Sequence, residues 1–222
     1  MNERTVSRQI AHYGRQSLFN SIALTADAAV AFNHRSWGTS YFLATIAMEE
    51  FAKCLIANDA IYNRQANGHN AADSIFWLRR VRDHKHKHYK FARESTDFLP
   101  TEFLEQVISR KLENAKQNSL YVDIELSIRD RLFRVSTPRR VREATARRQV
   151  SIVHEAIVDL ISNTLKGNYI LEIGDQIPPI DRETLRIVRR IWKEHYRAKK
   201  SRVLEFESQR SHNVSSNEYR RA

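Results

Sequence analysis

Helical spacing runs through almost the whole chain, and no other feature narrows the possible folds so far. Residues 5–34 place Ile10, Tyr13, Leu18, Ile22, Leu24, Ala26, Ala28, Ala29 and Phe32 in an irregular pattern that resembles i, i+3, i+4 spacing, the period of one helix face. The step Trp37–Gly38–Thr39–Ser40 breaks this segment, with Ser40 placed to cap the next. Residues 41–62, YFLATIAMEEFAKCLIANDAIY, form the most apolar stretch, and 63–72 read as a polar turn or loop. A third helix is expected over 73–93, and another from Thr101 to about Ala115. SLYVDIEL (119–126) is the best extended segment. Pro138 opens a long helix to about Leu165, since the first helical turn tolerates a residue without an amide proton. Gly167 ends it. With only five Gly and four Pro in 222 residues, loop-rich β architectures are disfavoured. The reading is all-α, a bundle of four to five core helices.

Charge divides the chain unevenly. Up to residue 130 there are 17 basic and 15 acidic residues, a net of +2; the rest has 20 and 11, a net of +9. A near-neutral body followed by a basic C-terminal third points to a polyanionic partner, RNA or the ribosome. An Arg-rich solvated helix is the plainer reading. The expected division is 1–167 as the helical domain, 168–207 as a loop and basic C-terminal helix from about Arg182, and 208–222 as a disordered tail. A single cysteine, Cys54, excludes an internal disulfide framework and a multi-Cys zinc site. No stretch reaches the roughly 18 apolar residues of a membrane span, so no membrane role and a soluble, cytoplasmic protein are expected.

Two clusters carry candidate chemistry. On 41–62, the face 43, 47, 50, 54, 57 reads Leu, Ala, Glu, Cys, Ala, and 42, 46, 49, 53, 56 reads Phe, Ile, Glu, Lys, Ile. Both are mostly apolar, so at least one of the carboxylates Glu49 and Glu50, with Lys53 as a further candidate, is expected to be drawn into the bundle, where an ion is costly unless paired. An exposed Glu49–Lys53 pair, worth only ~0.2–0.5 kcal/mol, is the alternative. The second cluster is Arg79, Arg80, Arg82, Asp83, His84, Lys85, His86, Lys87, His88 and Lys90. His84 and His88 share a helix face as metal ligands can, but the cations among them repel a divalent ion, so no metal and no cofactor is expected. Imidazole exchanges protons near neutral pH while Arg and Lys hold phosphate. A solvated basic helix end remains the alternative.

In this order the segments resemble the AbiV-type abortive infection proteins, a phage-defence family among the HEPN-like helical domains. The resemblance rests on ATIAMEEFAK (44–53), similar to the family's apolar helix ending in Glu-Glu-x-x-Lys, then His84-x-x-Lys87. KQNSLYVD (116–123) and the helix from Pro138 complete it, over roughly residues 10–165. It implies an HEPN-like bundle that arrests gene expression through RNA or the translation machinery. It also implies a homodimer and a phage-encoded activator as partners. Many HEPN relatives are metal-independent endoribonucleases with Arg-x(4–6)-His. Here Arg82…His88, Arg79…His84, Arg80…His86, Arg148…His154 and Arg189…His195 all fit that spacing.

The family pattern ranks His84, Lys87, Glu49, Glu50 and Lys53 first as catalytic candidates, with Arg82 and His88 beside them. His84 or His88 is the expected acid/base, and Arg82 and Lys87 the phosphate clamps. Arg79, Arg80, Lys85 and Lys90 are expected to bind nucleic acid. So are Arg189, Arg190, Lys193 and Arg197, which interleave with Trp192 and Tyr196 on the last helix. Tyr121 and Asp123 are read as supporting: Tyr121 packs or stacks on a base, and Asp123 bonds a nearby turn. The rival function is a non-enzymatic module that blocks translation or senses a phage protein. A regulatory or antitoxin-like partner, its polar cluster merely fixing helix register, is a third.

Overall fold

A computed structural model describes residues 3–67, 76, 79–94, 101–120, 123–127, 132–136, 141–165, 182–184, 186–194 and 197. Two 31-residue helices, α1 (Glu3–Asn33) and α2 (Trp37–Asn67), form its spine. They run antiparallel and close together because small residues line their seam. Ser21 Oγ donates to the Ala47 carbonyl at 2.7 Å, and Ser40 Oγ to that of Ala28 at 2.8 Å. Ala28, Ala29, Ala44, Ala47 and Ser40 are all fully buried there. A hydroxyl bonded to the facing backbone has no desolvation cost left unmet.

The α1–α2 turn lies at His34–Ser36, one step earlier than the Trp37–Ser40 break expected from the sequence. Arg35 adopts φ 59°. The Ser36 amide donates to the Ala31 carbonyl and the Arg35 amide to that of Phe32, the paired bonds of a left-handed helix end. Ser36 then takes the capping place expected of Ser40: its carbonyl accepts from the Ser40 amide, and its hydroxyl donates to Thr39 Oγ1 at 2.9 Å. Ser40 is left free for the interhelical bond.

Three shorter helices cover one side of α2: α3 (His84–Glu94), α4 (Thr101–Ile108) and α5 (Lys111–Asn118). The helix expected over 73–93 is interrupted. A 3-10 turn at Arg80–Arg82 ends in an extended Asp83, whose carboxylate accepts from the Lys85 amide at 2.9 Å and whose carbonyl accepts from the Lys87 amide. Asp83 thus caps α3. The helix expected over 101–115 is likewise split, at Arg110 with φ 59°. Phe91 on α3 packs edge-on against Phe51 of α2, with ring centroids 5.8 Å apart, and against Phe103 of α4 at 6.2 Å.

Of the expected extended segment 119–126, Ser119 and Leu120 form a turn after α5. Strand β1 (Asp123–Ser127) then pairs antiparallel with β2 (Leu132–Ser136), in the register Asp123↔Ser136 to Ser127↔Leu132. This hairpin is the one non-helical pair of elements among the described residues, and the other described elements form a helical bundle. The following long helix, α6 (Glu143–Leu165), starts five residues after Pro138, which itself lies outside the described residues. It packs on α2 and α1, where Gln149 Nε2 approaches Met48 Sδ at 3.7 Å and the Arg147 guanidinium sits 5.8 Å over the Phe32 ring. Residues 186–194 form a seventh helix, α7, and its Ile187, Val188 and Ile191 join the common core. The expected breaks at 63–72 and Gly167, apart from the helical 63–67, and the tail 208–222 lie outside the described residues.

Candidate functional site

Where α2, α3 and α5 meet, the core turns polar. The face of α3 at His84, Lys87, His88 and Phe91 points to α2, but only its last member is apolar. On α5 the stripe Leu112, Lys116, Ser119 is buried in the same way. Both polar stripes converge on Glu49, which is only 3% exposed. Glu49 Oε2 accepts from His84 Nδ1 at 2.7 Å and from Lys87 Nζ at 2.9 Å. Its Oε1 accepts from His88 Nε2 at 3.0 Å and from Lys116 Nζ at 2.8 Å. Lys116 also pairs with Glu113 at 2.8 Å, and Glu113 lies 4.0 Å from His88.

Two carboxylates and two ammonium groups balance when both imidazoles are neutral. Burial alone would raise the Glu49 pKa, but the bonds from His88, Lys116 and Lys87 outweigh it and hold the carboxyl well below the usual range. Burial would lower the Lys116 pKa; Glu113 and Glu49 outweigh that and raise it. An ionised carboxylate only accepts hydrogen bonds, so a neutral His84 carries its proton on Nδ1 and a neutral His88 on Nε2. His84 is the most exposed of the six, its side chain 53% accessible. With Nδ1 fixed on Glu49, its Nε2 lone pair is the basic atom offered outward.

Glu49, His84 and Glu113 offer ligand atoms within 4.8 Å of one another. Lys87 and Lys116 already occupy that space, and a divalent ion would have to displace two ammonium groups held by the same carboxylate.

The sequence-derived candidates separate in the structure. Glu49, His84, Lys87 and His88 come together. Lys87 is buried and bonded to Glu49, so it is a counter-ion of the cluster rather than an exposed phosphate clamp. His88 is buried too, which leaves His84 the better placed for proton exchange. Glu50 pairs with Lys53 on their own helix, and both act electrostatically on Tyr13 of α1. Arg79, Arg82 and Lys85 are exposed around the start of α3, while Arg80 stacks over Phe76 at 5.7 Å. Lys90 is buried against Asp59 and bonds Glu94 at 3.1 Å. Asp123 begins β1, and Tyr121 lies outside the described residues. The sequence reading missed Lys116 and Glu113 as site members. Lys116 opens the segment KQNSLYVD, and its place in that family-like segment is the signal that was there to be used.

Two Glu in tandem on an apolar helix, His-x-x-Lys on the next and a Lys from a third meet at one buried carboxylate. The AbiV family model of the HEPN class matches residues 9–158, a span holding every member of this cluster. The chain belongs to the AbiV family. No curated protein and no solved structure matches it. The match ends at residue 158, before α7. No helix among the described residues is long and apolar enough to cross a membrane.

Proposed function

We propose that this AbiV-family protein is a phage-defence effector of the abortive-infection kind, which arrests gene expression by acting on RNA, with Glu49 and His84 as its acid/base pair. One observation carries this reading: a half-exposed imidazole whose inner nitrogen is fixed 2.7 Å from a buried carboxylate that its hydrogen-bond donors hold ionised at neutral pH. Such a carboxylate fixes the tautomer and steadies the imidazolium once it forms. Outside the site, the exposed Arg79, Arg82 and Lys85 supply cations for a phosphate backbone.

The reaction this arrangement suits is metal-independent cleavage of RNA. Nε2 of His84 takes the proton of a 2′-hydroxyl as that oxygen attacks the adjacent phosphorus. The bond to the 5′ oxygen breaks, and the imidazolium returns its proton to that leaving oxygen. Arg82 steadies the negative charge on the phosphate as it grows. Lys87, His88 and Lys116 hold Glu49 in place and ionised.

A non-enzymatic module has one observation in its favour: both oxygens of Glu49 are fully taken by the protein's own donors. The two readings part on one variant. Wild type and His84→Ala are incubated with total RNA in EDTA, and each is expressed in cells to measure growth arrest. The acid/base reading expects a loss of about 10²-fold or more in cleavage for the variant, together with loss of arrest. Equal cleavage by both proteins, or arrest undiminished in His84→Ala, overturns it and leaves the binding module.

A further inference from the structure

Helix α7 lies outside the family match and outside the Glu49 cluster, yet it is built to two opposed specifications. One face is apolar and docked: Ile187, Val188 and Ile191 are buried and Trp192 Nε1 donates to Glu155 on α6 at 3.1 Å, while at the edge between the two faces Arg190 donates to Asn33 at the end of α1 at 2.6 Å. The other face is cationic. Arg182, Arg186, Arg189, Arg190, Lys193 and Arg197 line a cleft of about 730 Å³ whose single acidic residue is Glu194. Glu194 is itself engaged by Arg147 at 3.3 Å. The described lining is therefore six cations and one carboxylate; that carboxylate is paired with Arg147, and of the cations Arg186 is paired with Glu183 at 2.9 Å.

We infer that this cleft is a binding site for the sugar-phosphate backbone of single-stranded RNA, independent of the chemistry at His84. The spacing supports it. Arg186, Arg189, Arg190 and Lys193 recur at three and four residues, so they form one stripe about 10 Å long at ~1.5 Å per residue, which Arg182 and Arg197 prolong. Guanidinium groups match phosphate oxygens two by two. The docking of the opposite face fixes the stripe relative to the body. A membrane surface is the poorer fit, because the apolar residues of α7 face the core and leave none to enter a bilayer. Among the described residues no aromatic lines the cleft, so the contacts it offers are to the backbone and tolerant of sequence.

The full chain is titrated against a fluorescently labelled oligouridine by anisotropy, over a range of salt. Backbone binding to a single strand falls with salt at about 0.7 in log–log slope for each phosphate neutralised. Arg189→Ala with Lys193→Ala is expected to weaken binding and to reduce that slope by about 1.4, two contacts' worth. Arg8→Ala with Lys111→Ala removes the same charge from exposed positions elsewhere and is expected to change neither. His84→Ala retains full binding, so failure here and failure of the acid/base reading are distinguishable. An unchanged slope in the α7 variant, an equal loss in the control variant, or binding to phosphatidylserine vesicles in place of RNA overturns the assignment.

Discussion

Replacing Glu49 with glutamine keeps the shape of the side chain but removes the charge against which Lys87 and Lys116 are buried. Breaking a buried pair from one side costs about 3–5 kcal/mol, so Glu49→Gln is expected to lower stability by that order in chemical denaturation. Adding Lys87→Met, which removes the buried ammonium left without its carboxylate, should restore part of it. His84→Ala removes a half-exposed ring and should cost no more than about 1 kcal/mol. The same cluster sets a pH limit. The folded Glu49 pKa lies below its usual 4.5, so its contribution is fully present above that value and is lost as pH falls through the folded pKa. Lys116 has the opposite sense: its folded pKa is raised above 10.5, so its contribution is present below that value and lost as pH rises past it.

The helix ends carry the clearest lesson about what a sequence discloses. Arg35 occupies the left-handed position at the end of α1, where glycine is usual because a β-carbon costs about 1 kcal/mol. Arg35→Gly is therefore expected to raise Tm by a few degrees in a thermal melt. Since no glycine marks the turn, the visible Gly38 drew the expected break into what is the first turn of α2. The break at Arg110 was hidden for the same reason. Asp83 caps α3, but the sequence reading placed it, with the basic residues around it, inside one helix over 73–93. The apolar spacing of 41–62 and of the helix to Leu165 was enough to place both, because long amphipathic periodicity outweighs local signals.

At the scale of the whole molecule, the sequence showed that an ion would be buried on α2 but not which one. Glu49 and Glu50 are neighbours in sequence and lie about 100° apart around the helix; only the approach of α3 and α5 decides that Glu49 receives the cations. Lys116, 67 residues away, was readable only as part of a segment similar to the family's. Helix α7 couples to the body by a second titratable contact. Burial, and then nearby Arg189, lower the pKa of His154 on α6, and burial does the same to His86 on α3. Groups depressed from 6.5 give stability that is present above that value and lost as pH falls below it. Tm should therefore drop between about pH 7 and 5, and less steeply in His154→Gln.

The most direct measurement is long-range ¹H–¹⁵N NMR of the imidazole nitrogens in the folded protein above neutral pH. With Glu49 holding the inner nitrogen, His84 should show a protonated Nδ1 and a bare Nε2, a preference that Glu49→Gln abolishes or weakens. A His84 ring that carries its proton on Nε2, or whose nitrogen shifts are the same in Glu49→Gln as in wild type, would contradict the account.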